Sequence, residues 1–82
     1  MNPEEFLKLY PNPFTNTAVL SISNPEGNSY TLYLKDLSGK IVKTMNNVTE
    51  RKTKITRDGL PAGLYLIELR GPNVYRGKII IQ

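Results

Sequence analysis

Apolar and polar side chains alternate along most of the 82-residue chain. The alternation is clear at residues 16–23, 29–36, 64–70 and 74–81. A period of two residues indicates β-strands with one buried face, and no ten-residue window carries the stripe of an amphipathic helix. The pattern therefore predicts an all-β fold.

Turn-forming residues divide this pattern into seven predicted strands. The turns lie at Asn24–Asn28, Asp36–Lys40, Asn46–Asn47, Asp58–Gly63 and Gly71–Asn73. The first two suit type I hairpin turns, and Gly39 suits the positive φ of a G1 bulge. The predicted strands are 6–10, 16–23, 29–36, 40–46, 51–57, 64–70 and 74–81. Seven short strands at regular spacing predict a two-sheet β-sandwich of the immunoglobulin-like or fibronectin-like type.

Two of these strands carry further information. Residues 51–57 hold four charges and a single apolar residue, which is typical of an edge strand. Tyr65 lies just inside a late strand, after Leu60 and a tight turn, which predicts a tyrosine corner whose hydroxyl bonds to upstream backbone. The alternation also predicts these core residues: Leu20, Ile22, Leu32, Leu34, Ile55, Leu60, Tyr65, Ile67, Leu69 and Ile79.

Composition argues against catalysis. The chain has no cysteine and no histidine, so it lacks disulfides, thiolate metal sites and the commonest general base. Asp36 and Asp58 occupy turn positions, and Glu68 should lie on an outer face beside Arg70. A glycosidase-type carboxylate pair needs a cleft between its members, for which a sandwich of this size leaves little room. We therefore predict no catalytic residues, no cofactor and no metal.

The positive charge does not indicate a particular partner. The net charge is +4, and the basic residues are spread from Lys8 to Lys78. This spread predicts a solvated surface rather than a nucleic-acid interface, and Tyr30 and Tyr75 fall on core faces, where they could not stack on bases. Residues 1–5 lack the basic and apolar regions of a signal peptide, and no stretch reaches the ~20 apolar residues of a membrane span. We therefore expect the chain to be intracellular or part of a longer protein.

Four motifs follow one another at specific spacings. They are Leu9–Phe14, Leu34-x-Asp36-x-x-Gly39-x-x-Val42, Leu60–Tyr65 and Gly77–Ile81. In this order they resemble the type A C-terminal sorting domain of the type IX secretion system, from about Leu7 to Gln82. The residues that carry the resemblance are Tyr10, Pro11, Asn12, Pro13, Asp36, Gly39, Leu60, Gly63, Tyr65, Gly77, Lys78, Ile79, Ile80 and Ile81.

The resemblance implies a function in protein transport. Residues 1–6 would be a linker or an added start, and residues 7–82 a sorting domain that directs an attached N-terminal cargo across the bacterial outer membrane. The implied partners are the translocon and a sortase-like protease that usually removes the domain at the surface. The implied route passes through the periplasm to the cell surface or the extracellular space. Lys78 matches the basic position of the family's last strand, whereas Gln82 stands where many members have a basic residue.

The last predicted strand also suits recognition on physical grounds. Unpaired backbone groups at a sheet edge let a partner add a strand, and an apolar edge strand favours a strand-swapped dimer. Lys78 and Ile80 should stand side by side on the outer face, flanked by Leu64 and Leu66. A mixed apolar and basic patch can dock a partner; alternatively, Ile80 only covers its neighbour. A second function fits the same fold, a fibronectin-like or carbohydrate-binding adhesion module that stays in the mature protein.

Overall fold

Seven β-strands form the regular structure of the residues that the computed structural model describes, 7–24 and 26–82. They are β1 (Leu7–Tyr10), β2 (Thr17–Ile22), β3 (Tyr30–Lys35), β4 (Ile41–Val48), β5 (Lys52–Thr56), β6 (Gly63–Arg70) and β7 (Val74–Ile81). The predicted strands are confirmed. The predicted start at Phe6 and the linker at residues 1–6 lie outside the described residues.

The strands form two antiparallel sheets, ordered β1-β2-β5 and β4-β3-β6-β7. The chain crosses between the sheets after β2, after β4 and again after β5. Antiparallel sheets of three and four strands with such crossovers are typical of immunoglobulin-like sandwiches, which confirms the predicted fold class. β5 lies at an edge of its sheet, as its charges predicted.

The inward faces of both sheets share one core. All the predicted core residues except Leu60 are buried. Leu60 was predicted to be buried and is only partly so, because it packs against the core from the loop before β6. Phe14 is 2% exposed although it lies in a loop, where no strand pattern could reveal it. Since burying such a side chain stabilises a fold by about 1.5–3 kcal/mol, this loop residue belongs among the main core contributors.

Two of the predicted turns are wrong: one does not close a hairpin, and the other lies inside a strand. At Asn24–Asn28 the chain does turn, with the Gly27 N–H donating to the Asn24 carbonyl at 3.1 Å, but the turn joins two sheets instead of closing a hairpin. Asn46–Asn47 lies inside β4, where the register against β3 shifts and Asn47 takes a φ of 56°. Asparagine tolerates positive φ, so residues that resemble a turn signal form a β-bulge here.

The turn at Asp36–Lys40 is confirmed. The Asp36 N–H donates to the Lys40 carbonyl at 3.0 Å, and Gly39 takes a φ of 91°. One carboxylate oxygen of Asp36 accepts from the Ser38 hydroxyl at 2.6 Å and from the Lys40 N–H at 3.0 Å. These hydrogen bonds, that of the Ser38 hydroxyl above all, lower the pKa of Asp36. Asp36 and Gly39 therefore serve the geometry of the β3–β4 hairpin.

The predicted tyrosine corner is also confirmed. The Tyr65 hydroxyl donates to the carbonyl of Pro61, four residues upstream, at 2.6 Å. Tyr65 is 5% exposed, so the carbonyl and the hydroxyl satisfy each other where water has little access. The bond fixes the path of the chain as it enters β6.

We predict that Tyr65→Phe lowers the free energy of unfolding by about 1–3 kcal/mol, because the Pro61 carbonyl loses its buried donor. Urea denaturation followed by tyrosine fluorescence or circular dichroism measures the change. Tyr10→Phe is the matched control, since Tyr10 is 43% exposed and should change stability by less than about 0.5 kcal/mol. Equal midpoints for wild type and Tyr65→Phe would contradict a structural role for the hydroxyl.

Candidate functional site

The last strand, β7, lies at the edge of the four-stranded sheet and pairs with β6 along its whole length. Because successive side chains point to opposite faces, Ile79 and Ile81 enter the core while Lys78 and Ile80 face outward. Burial agrees, with Ile79 fully buried and Ile80 42% exposed. β7 thus closes the core with one face and offers a surface with the other.

The outer edge of β7 is capped by an early loop. The Asn12 side-chain amide donates to the Lys78 carbonyl at 3.2 Å and accepts from the Ile80 N–H at 2.9 Å. The Phe14 N–H donates to the Ile80 carbonyl at 3.0 Å, and the Gln82 N–H donates to the Phe14 carbonyl at 2.8 Å. Backbone groups that were expected to be unpaired at this part of the edge are therefore already occupied.

We call residues Pro11–Phe14 the capping segment. Phe14 forms a parallel bridge with Ile81 and buries its ring between the sheets. Pro11 and Pro13 have no N–H to satisfy, and the peptide bonds that precede them are cis. The proline-rich motif thus places one amide side chain and one aromatic anchor against the last strand.

Arg57, which the sequence did not single out, links three segments of the chain. It follows β5, and its guanidinium donates to the carbonyls of Leu60 at 2.8 Å, Thr15 at 3.1 Å and Gln82 at 2.6 Å. These carbonyls belong to the tyrosine corner, to the loop after the capping segment and to the residue after β7. A charged residue at the end of an edge strand looks like surface solvation in the sequence, so no signal revealed this role.

Gly77 lies in β7 with little room for a side chain. A Cβ atom at this position would lie 3.2 Å from Leu7 Cδ2 and 3.3 Å from Ile67 Cγ2. These separations are shorter than ordinary van der Waals contact, so the side chains of Leu7 and Ile67 would have to shift by a few tenths of an ångström to admit a Cβ atom. The glycine of the closing motif therefore suits the tight packing at this position.

On the outer face, β6 and β7 form a patch of mixed character. Leu64 lies opposite Ile80, and Leu66 lies opposite Lys78, as the alternation predicted. Leu64 is 36% exposed, Leu66 39% and Ile80 42%. We call these four residues the outer patch. Each of its apolar residues keeps more than a third of its surface accessible.

Glu68 lies on the same face, as predicted, but it is 5% exposed rather than open to solvent. Lys35, Arg70 and Arg76 cover its carboxylate at 3.4, 2.6 and 2.9 Å. The Arg70 hydrogen bond, followed by that of Arg76 and the charges of Arg70 and Lys35, outweighs the effect of burial and lowers the pKa of Glu68 to about 2. The carboxylate is therefore ionised and fully paired at neutral pH.

The structure brings most of the predicted motif residues together. Tyr10–Pro13, Leu60–Tyr65 and Gly77–Ile81 meet around β7 through the capping segment and Arg57. Asp36 and Gly39 do not join them, since no hydrogen bond or ion pair within residues 7–24 and 26–82 links their turn to β7. In the same part of the chain, no cluster of acidic residues could hold a metal ion, and no helix could cross a membrane.

These features define an immunoglobulin-like domain in which three of the four sequence motifs meet around the last strand. Residues 8–82 match the family described as the secretion system C-terminal sorting domain, and the chain belongs to that family. The domain is thus a sorting signal of proteins that the type IX secretion system carries to the cell surface or beyond. A sorting domain is not itself catalytic, and the adhesion-module alternative is not favoured.

Two individual comparisons agree. The chain is 35% identical over 75 residues to beta-agarase A of Zobellia galactanivorans, a match that covers 90% of this chain but 13% of the agarase. A DUF3244-family protein from Bacteroides vulgatus with an immunoglobulin-like β-sandwich superimposes with a TM-score of 0.74 at 16% identity, over 100% of this chain and 90% of that one. The first relative carries the domain as a small part of a longer protein, and the second supports the fold.

We predict that Asn12→Ala releases the edge of β7. The Ile80 N–H loses its acceptor, so its hydrogen exchange should accelerate at least about tenfold, and the free energy of unfolding should fall by about 1 kcal/mol. Amide exchange by NMR measures the first effect and urea denaturation the second. Asn16→Ala, another exposed loop asparagine, should alter neither. Unchanged protection of Ile80 would mean that the capping hydrogen bond does not persist in solution.

We predict that ionised Glu68 stabilises the fold and that this contribution is lost in acid. Its pKa is lower in the folded chain, about 2, than the ordinary 4.5, so the stabilisation is complete above pH 4.5 and disappears as the pH falls towards 2. Because Arg70 and Arg76 are more than half exposed, we expect only about 1–2 kcal/mol. The stability gap between wild type and Glu68→Gln should close over this pH range. A gap independent of pH would contradict the prediction.

Proposed function

We propose that the type IX translocon recognises the outer patch of β6 and β7, and that a cargo protein attached ahead of residue 7 is exported with this domain through the periplasm. The observation that carries the proposal is the pairing of Leu64 with Ile80 and of Leu66 with Lys78 on one exposed surface. Buried apolar area at such a patch supplies binding energy, and the lysine adds charge selectivity.

The capped edge favours side-chain recognition over strand addition. Between Lys78 and Gln82 the outward backbone groups already bind Asn12 and Phe14. A partner that adds a strand there would first have to displace Phe14 from the core. The outer patch needs no such rearrangement, since its side chains are accessible in the folded domain.

We further propose that a sortase-like protease of the outer membrane separates cargo and domain ahead of β1. Leu7 is 8% exposed and belongs to the core, so a cut within β1 would require unfolding. In this role the domain contributes no catalysis of its own, and the chemistry of the complete protein belongs to its cargo.

A strand-swapped dimer stays a prediction. The capping segment disfavours exchange at residues 78–82, because the exchanged strand would have to recover its contacts with Asn12 and Phe14. Light scattering of the purified chain measures its mass in solution directly.

The test is export of an unrelated periplasmic reporter fused to the chain in a host with a type IX system. The wild-type domain should carry the reporter to the surface or the medium. Lys78→Glu with Ile80→Ser should leave the reporter in the periplasm, because the outer patch loses its charge and its apolar centre. This double variant should still fold, since surface changes typically alter stability by less than about 1 kcal/mol.

Leu37→Ser with Lys40→Glu is the matched control. It makes the same kinds of substitution at the exposed β3–β4 turn, where Leu37 is 68% exposed, and should be exported normally. Circular dichroism must show that both double variants are folded. Normal export of the folded Lys78→Glu, Ile80→Ser variant would refute recognition through the outer patch. Deleting residues 78–82 would not discriminate, because it also removes Ile79 and Ile81 from the core.

A further inference from the structure

One buried carboxylate on the outer face of the larger sheet is bound by three cationic side chains, each from a different strand. Lys35 of β3, Arg70 of β6 and Arg76 of β7 all contact Glu68. Three positive charges against one negative charge leave this cluster with an excess of two. No other acidic side chain of the described residues pairs with these cations.

The two arginines bind Glu68 in the same way. Each donates from its Nε atom, Arg70 at 2.6 Å and Arg76 at 2.9 Å, to different oxygens of the carboxylate. Within residues 7–24 and 26–82, the terminal nitrogens of both guanidinium groups have no hydrogen-bond partner. The two side chains are 55% and 69% exposed, whereas that of Glu68 is 6% exposed. Glu68 therefore binds the Nε atoms of two guanidinium groups and leaves their terminal donors available.

An open groove of about 250 Å³ lies beside this cluster, lined by Tyr33, Lys35, Ile41, Glu68 and Arg70. Ile41 is 48% exposed, and Tyr33 is half-buried, so the groove combines an apolar wall with a cationic end. Guanidinium groups bind carboxylates through two parallel hydrogen bonds, and fixing them in advance reduces the entropy lost on binding.

We propose that Arg70 and Arg76, positioned by Glu68, bind the carboxylates of an acidic peptide segment of a partner protein, with an apolar side chain of that segment lying against Tyr33 and Ile41. The excess charge of two complements two carboxylates. The apolar wall favours a peptide, because a nucleic-acid backbone offers no aliphatic side chain to fill it. This site shares no residue with the outer patch, although the two adjoin on the same face of the sheet, and its existence does not depend on which surface the translocon recognises.

The probe is the blocked peptide Glu-Leu-Glu-Leu-Glu, titrated into the isotope-labelled 82-residue chain at low salt and followed by NMR. We expect saturable shifts confined to the amides around Tyr33, Ile41, Arg70 and Arg76, together with the arginine Nε–H signals. Shifts centred on Lys52 and Lys54 of the other sheet, or no saturable shifts, would overturn the proposal.

Two double variants test whether peptide binding depends on the shape of the guanidinium groups or only on positive charge. Arg70→Lys with Arg76→Lys keeps both charges beside Glu68 but removes the planar forks, and it should weaken binding at least about tenfold. Lys52→Gln with Lys54→Gln removes two charges from the opposite sheet and should change the affinity by less than about twofold at moderate salt. Equal affinity of the arginine-to-lysine variant and wild type, or equal loss in both double variants, would refute a specific arginine site.

Glu68→Gln tests the positioning role directly. The substitution makes the chain more positive by one charge, so simple attraction would strengthen peptide binding. Loss of the ionic anchor for two guanidinium groups should instead weaken it, in a variant whose NMR spectrum shows that it is folded. Tighter binding by Glu68→Gln would refute positioning by this residue.

Three further ligands test the class of partner. Inorganic phosphate, a single-stranded oligonucleotide with the peptide's charge, and vesicles containing anionic phospholipid should each bind more weakly than the peptide. Stronger binding of any one of them at Arg70 and Arg76 would refute an acidic peptide as the occupant.

Discussion

The attachment of the capping segment to β7 is the contact on which the rest of the structure depends. Phe14 lies 67 positions before Ile81 in the chain, yet the two residues form a backbone bridge and both enter the core. Removing an aromatic ring of this kind from a core typically costs about 3–5 kcal/mol, a large share of the stability of a small domain. Arg57 strengthens the same junction with hydrogen bonds to both of the segments that meet there. The proline motif and the closing motif of the family are thus two halves of a single contact.

The arrangement also explains how the domain protects the last part of an exposed edge strand. A free strand edge invites pairing with other chains, and proteins usually protect it with charges, prolines or covering loops. Here the covering loop supplies Asn12, whose amide satisfies one acceptor and one donor of β7. The outward side chains stay accessible while the backbone is protected. The proposed recognition and the protection of the strand edge therefore use different atoms of the same strand.

The sequence was sufficient for features governed by local rules. Alternation and turn-forming residues together located the seven strands. The turn chemistry of Asp36 and Gly39 and the corner at Tyr65 needed only neighbouring residues. It failed where contacts depend on sheet order. Neither the burial of Phe14 nor the links made by Arg57 can be inferred without knowing that β5, β7 and the early loop meet. Glu68 shows the same limit, because its outward direction followed from alternation but its burial follows from cations on three strands.

The distance in sequence between Phe14 and Ile81 has a consequence for protein quality control. Contacts between distant segments cannot form until both segments have been synthesised, and folds rich in such contacts complete late. A polypeptide truncated anywhere before β7 would lack Ile79, Ile81 and the strand that Asn12 and Phe14 bind. Its domain would remain open, with the core exposed to proteases. Only chains that have been translated through their last strand can therefore present a folded sorting domain.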